Sequence, residues 1–288
     1  MNTLSKSYLG LFTGLLIIGF GPILVRLADA HSIVSVFYRL LIGTLVLFVP
    51  FVRYRVKSDA KLVFRGISIA VLAGVAFGID MIIWALGVEC SNVTLPTLFG
   101  NLAPVWVALG SILIFRERRK FGFWIGILVT VFGAIALMWD DLYTGNNQIC
   151  GMLYGLLAGI FYAVFYLLTQ EGRKTVATLD FLFLFTVGAA IAALIGMLVF
   201  RLPFVGYAKT TYYNFIFYAL STQVLAWYFI NYSQGTLKAT VVSPTLLMQP
   251  VIAGIFAIFI LGEQLTVWQI VGGIIVVSGI YLVHFFRT

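Results

Sequence analysis

The chain has 288 residues, of which 62% are apolar and only 10% charged, with a formal net charge of +8. A soluble domain carries about 45–50% apolar and about 25% charged residues. A soluble enzyme, a disordered chain and a nucleic-acid binder are therefore excluded, and the excess of 18 Lys and Arg over 10 Asp and Glu has to be read against a membrane.

A bilayer core is crossed by about 20 apolar helical residues. Ten such stretches follow one another, at 8–26, 32–52, 65–87, 93–115, 121–139, 150–170, 179–200, 212–232, 240–262 and 267–286. Charges, prolines or turn residues separate them, as at Arg53–Asp59, Asp140-Asp141 and Glu171–Lys174, while Arg201-Leu202-Pro203 blurs the end of span seven. A membrane barrel would need alternating apolar and polar residues, and runs such as Ala253–Leu261 do not alternate. Lys6, an apolar run and Ala28-Asp29-Ala30 mimic a secretion signal. The run is too long and Arg26 interrupts it, so the segment is expected to stay as span one.

Ten spans put both termini on one side. If that side is the cytoplasm, fourteen Lys and Arg flank the spans inside, and only Arg26, Arg201 and Lys209 lie outside. This bias predicts both termini in the cytoplasm and contact with anionic lipid. Cys90 and Cys150 then share the outer side. A disulfide is open to them, but two unlinked small apolar residues are the expected reading. Their spacing fits no metal site, no phosphate-binding loop is present, and no cofactor is expected.

The chain contains itself twice. Pro104-x12-Glu117 recurs as Pro250-x12-Glu263, and the same shift of 146 places Thr94 on Thr240, Gly126 on Gly272 and Gly133 on Gly279. Gly10–Leu16 matches Gly151–Leu157 at a shift of 141. Each half, 1–145 and 146–288, then holds five spans, and an odd number inverts the second copy. The loops agree, since Arg116–Lys120 is basic and its counterpart Gly262–Thr266 has no Lys or Arg. The predicted architecture is an all-α integral membrane protein of ten transmembrane helices, arranged as two inverted five-helix repeats. Such repeats can exchange conformations around a midplane site, which is the logic of a secondary transporter.

With Phe37–Leu41, Leu102–Val107 leading to Phe115–Arg118, Gln249–Ile252 leading to Ile260–Gln264, and the glycine-bearing last spans 122–133 and 272–279, the chain resembles an EamA-type transporter of the drug/metabolite transporter superfamily. The resemblance covers essentially the whole chain. It implies ten helices, a central cavity, and export or exchange of amino acids and small metabolites. Arg116 departs from the pattern, which usually has Gly before the Glu.

Ionisable groups within spans default to functional candidates. Arg39 and Asp80 lie at matched depth, roughly 10 Å below the outer boundary, and an ion pair between them is expected. They are candidates for holding a zwitterion or a proton. Asn101, Gln223 and Gln249 add amide groups near mid-depth, two of them beside Pro104 and Pro250. Trp84, Tyr162, Tyr166 and Trp227 are candidate aromatic walls. Glu117 and Glu263 read as end caps or gate residues.

The expected partners are a small-molecule solute, membrane lipids and protons as a coupling ion, in a bacterial inner membrane. Amino-acid export leads, with uptake or exchange as the other direction. An intramembrane enzyme is disfavoured, because His31 and His284 are the only histidines and no catalytic constellation accompanies them. An inverted repeat has no evident use in a receptor or scaffold.

Overall fold

Prolines and glycines divide the spans more finely than hydropathy does. The computed structural model describes residues 2–21, 24, 27–58, 62–91, 94–141, 148–261 and 266–286. Helix α1 (Thr3–Ile18) starts on Asn2, whose side chain accepts from the Ser5 amide at 2.8 Å, and it runs out at Gly19. Helices α2 (Ser32–Lys57) and α3 (Phe64–Cys90) follow. Span four is two helices, α4 (Thr94–Gly100) and α5 (Ala103–Phe115). Pro104 lies in the first turn of α5, where a missing N–H breaks no helical bond. Then come α6 (Phe121–Leu137), α7 (Gln148–Gly172) and α8 (Thr178–Val199).

Span eight is one rod in three parts: α9 (Lys209–Tyr218), a π-helical segment (Ala219–Ala226) and α10 (Trp227–Ser233). Span nine is broken like span four, into α11 (Ala239–Leu246) and α12 (Gln249–Leu261), with Pro250 second in α12. Helix α13 (Val267–Phe285) opens on a capping box between Thr266 and Gln269. Among the described residues, seven helical stretches are long and apolar enough to cross a membrane, and Thr3–Ile18 and Phe121–Leu137 are shorter apolar helices. Arg26, Glu263 and the predicted ends of spans one and nine lie outside the described residues.

Large apolar side chains such as Leu113, Val199 and Phe285 point outward, as hydrocarbon contact requires, whereas Leu11, Leu40, Val107 and Phe185 are fully enclosed. Without a hydrophobic force between helices in lipid, close approach decides which helices associate. Glycines make that approach. Gly74 and Gly78 of α3 abut the carbonyls of Phe185 and Ala189 in α8. Gly155 and Gly159 of α7 face the carbonyls of Pro96 and Gly100 in α4. In the antiparallel seam of α6 and α13, Gly126 meets Val283, Gly133 meets Val276, Gly272 meets Leu137 and Gly279 meets Thr130, all at backbone atoms.

The first and last helices meet near their terminal ends, where the Tyr8 and His284 rings lie 5.5 Å apart. Both termini therefore share one end of the bundle. At the opposite end Cys90 and Cys150 form a disulfide, with Cα atoms 6.3 Å apart. This corrects the expectation of two unlinked residues. The reason is packing: α3 and α7 run side by side up to that end, where a Cβ on Gly87 would lie 3.1 Å from Tyr154 Cβ.

Arg116 ends α5 in the left-handed region, at φ 53° and ψ 32°. That backbone suits glycine and costs other residues about 1–2 kcal/mol. Arg116→Gly is therefore expected to stabilise the protein by about 1 kcal/mol, seen as a higher melting temperature in detergent.

Candidate functional site

The buried charge of Arg39 is held by hydrogen bonds, not by a carboxylate. Its Nε donates to Gln223 Oε1 at 3.1 Å and its Nη1 donates to the Tyr218 hydroxyl at 3.0 Å. The guanidinium also lies over the Tyr218 and Phe77 rings, 5.0 and 5.7 Å from their centroids. Gln223 Nε2 in turn donates to Thr186 Oγ1 at 3.0 Å. Gly43 leaves the room for this, since a Cβ there would lie 2.7 Å from Gln223 Cγ.

The π-helical segment explains why Tyr218 and Gln223 both reach Arg39. In an α-helix, residues five apart point about 140° from each other. In a π-helix the bonds run i to i+5, so such residues come into line.

Asp80 is buried at 4% exposure, within electrostatic reach of Arg39, yet the expected ion pair is not formed. Asp80 Oδ2 and Arg39 Nη2 are each buried without a hydrogen-bond partner. So is the hydroxyl of Ser35, one turn from Arg39 on the same face of α2. One carboxyl oxygen and one guanidinium nitrogen are thus left unsatisfied on neighbouring helices. A buried polar group without a partner costs about 1–3 kcal/mol, and more when charged.

The Tyr166 hydroxyl donates to Tyr162 at 2.8 Å, and the Tyr162 ring lies 6.3 Å from Phe77, the ring beneath the Arg39 guanidinium. Trp227 is almost fully enclosed, its ring packed against Phe77, Phe165 and Phe185 at 5.1, 5.2 and 6.0 Å. Trp84 is half-buried and donates to Thr97 Oγ1 at 2.9 Å. Asn101 lies in the break between α4 and α5 with a buried, unpartnered Nδ2. Gln249 opens α12 at the equivalent break and is half-buried. The structure thus gathers Arg39, Asp80, Gln223, Tyr162 and Tyr166, sets Trp227 in the adjoining aromatic packing, and leaves Trp84, Asn101 and Gln249 at or near the helix breaks.

Tyr218, Thr186 and Ser35 escaped notice in the sequence, because hydroxyl residues in apolar spans look like ordinary packing. Arg173 looked like one more end-marking charge. It donates from Nε to the Asn231 carbonyl at 2.9 Å and from Nη2 to Thr178 Oγ1 at 2.7 Å, and also bonds the Val176 carbonyl. Burial pushes its pKa down to about 10, so it stays charged at neutral pH. Other ties brace the same end. Lys238 pairs with Glu117 at 2.9 Å, Arg119 bonds Glu117 and Thr240, and Arg55 pairs with Asp180 at 3.4 Å.

The profile of the EamA-like transporter family matches residues 5–139 and again residues 149–285. The chain belongs to the EamA-like transporter family. Its apolar helices and this membership make it an integral membrane protein. This EamA-like protein is 25% identical over 216 residues to an uncharacterized transporter of Helicobacter pylori strain ATCC 700392 / 26695, covering 73% of this chain and 70% of that one. A counterpart from strain J99 is 27% identical over 172 residues, covering 59% of this chain and just 56% of that one. The uncharacterized transporter YdfC of Bacillus subtilis strain 168 is 22% identical over 248 residues, covering 84% and 78%. A solved crystal structure superposes with a TM-score of 0.82 at 14% identity, over 98% of this chain and 99% of that chain, which shows a shared fold.

Proposed function

We propose that this EamA-like protein is a secondary transporter that moves small zwitterionic metabolites, amino acids foremost, by alternating access. The observation that carries this is the under-bonded pair, Arg39 Nη2 and Asp80 Oδ2. An α-carboxylate and an α-ammonium are the groups that would satisfy them together. Gln223, Tyr162 and Tyr166 are proposed to shape the rest of the site, with Trp84, Asn101, Gln249 and Trp227 around it. Asp80 is also the proposed acceptor of a coupling proton.

The proposed architecture is a pair of inverted repeats. The two family matches support it. So does the α6–α13 seam: shifting by 146 turns the Gly126–Val283 contact into Gly272–Leu137 with the partners exchanged, and turns Gly133–Val276 into Gly279–Thr130. The bias of Lys and Arg supports cytoplasmic termini. A bacterial inner membrane and export as the direction are proposed by analogy with the family.

A counterflow screen with purified protein in liposomes tests the reading. Amino acids should exchange at least about tenfold faster than monoamines or monocarboxylates of similar size, since each of these leaves one charge unanswered. Equal rates for all three classes, or none for amino acids, would remove the zwitterion assignment.

A further inference from the structure

At the end that carries the termini, one side chain joins three helices. The Tyr8 hydroxyl lies 3.3 Å from His284 Nδ1, and Thr245 Oγ1 lies 2.9 Å from His284 Nε2. Thr245 already donates to the Val241 carbonyl at 2.6 Å. Its hydroxyl can therefore only accept from the imidazole, which places a ring hydrogen on Nε2; with the ring neutral, Nδ1 accepts from Tyr8. This single tautomer couples α1 to α11 through α13.

The two ends of the bundle treat equivalent helices differently. At the disulfide end, α4 packs directly on α7, glycine against backbone. The repeat shifts relate α4 to α11 and α7 to α1. Among the described residues α11 packs closely on α5, α7 and α13, but not on α1. The shift of 146 places Met138 and Phe99 where His284 and Thr245 stand, and both pack on the apolar cluster of Leu98 and Ala134. The positions equivalent to His284 and Thr245 at the disulfide end thus carry apolar side chains.

We infer that Tyr8, His284 and Thr245 form the latch of the gate at this end, with His284 as the positioning residue that holds α11 closed. Its purpose rests on the alternating-access reading, but the latch is detectable without any solute. Ser243 on α11 is 3% exposed and its hydroxyl has no hydrogen-bond partner, so S243C is a nearly silent reporter of α11. The native cysteines are paired and do not compete.

The test measures the rate at which a membrane-impermeant maleimide alkylates S243C from the face with the termini, in sealed vesicles of each orientation. Tyr8→Phe should raise that rate about fivefold, the effect of losing one ordinary hydrogen bond, and His284→Leu, which loses both bonds of the latch, should raise it further. His284→Gln, which keeps one donor and one acceptor, should return it close to the parent value. An unchanged rate in Tyr8→Phe overturns the latch, as does His284→Gln behaving like His284→Leu. So does an equal rise when reagent is applied to the other face, which marks general loosening. Tyr8→Phe removes a single oxygen and serves if His284→Leu fails to fold. Absent counterflow in the parent would strike the transport reading and leave the accessibility result standing.

Discussion

Replacing Asp80 by Asn is expected to cut amino-acid counterflow by at least about tenfold while leaving the yield of folded protein unchanged. The amide side chain would fill the same volume and keep an acceptor oxygen, so packing gives no reason for unfolding. What it loses is the charge that would answer an ammonium group. A charge-assisted hydrogen bond contributes about 1.5–3 kcal/mol, which is the tenfold or more expected here. Asn also imitates a permanently protonated carboxyl. If Asp80 takes the coupling proton, the wild-type flux changes across roughly pH 5–8 and the residual flux of the variant does not. Wild-type flux in Asp80→Asn, with wild-type pH dependence, would remove Asp80 from both binding and coupling.

Two neighbouring glycines should respond in opposite ways to one methyl group. A Cβ on Gly272 would fall on the Leu137 backbone, 2.5 Å from its Cα, whereas a Cβ on Gly273 meets only Val251 methyl groups at 3.6 Å and beyond. In Gly272→Ala the helices α6 and α13 must separate along their shared seam, at a cost of about 1–3 kcal/mol or more. In Gly273→Ala the same substitution makes ordinary contact and adds helix propensity of about 1 kcal/mol. Thermal unfolding of the two variants in detergent should therefore fall on either side of the parent. Similar midpoints for both would mean that the seam is not as close as described.

Much of the fold was legible because lipid imposes long apolar runs and places charges at their ends. The breaks at Asn101 and Met248 were marked by Pro104 and Pro250, although only the structure shows each proline starting a new helix instead of bending an old one. The common end of the termini followed from an even number of spans. Arg39 and Asp80 were visible as the costly residues of their spans, but their failure to pair was not, because depth says nothing about rotation around the helix. Tyr218 was hidden for a related reason: spacing arguments assume 3.6 residues per turn, and the π-helical segment does not keep that period. The disulfide was hidden because span order does not say which helices are neighbours.

The self-matching seam of α6 and α13 has a mechanical meaning. If the halves trade conformations between two states, each contact in one state becomes its counterpart in the other. The contacts of this seam are one another's counterparts and are all made already, so the trade would leave the set unchanged. Under that exchange the seam would behave as an axle, the stationary line about which the remaining helices would rock. Substitutions along it should then change how well the protein holds together and leave untouched the balance between its two openings.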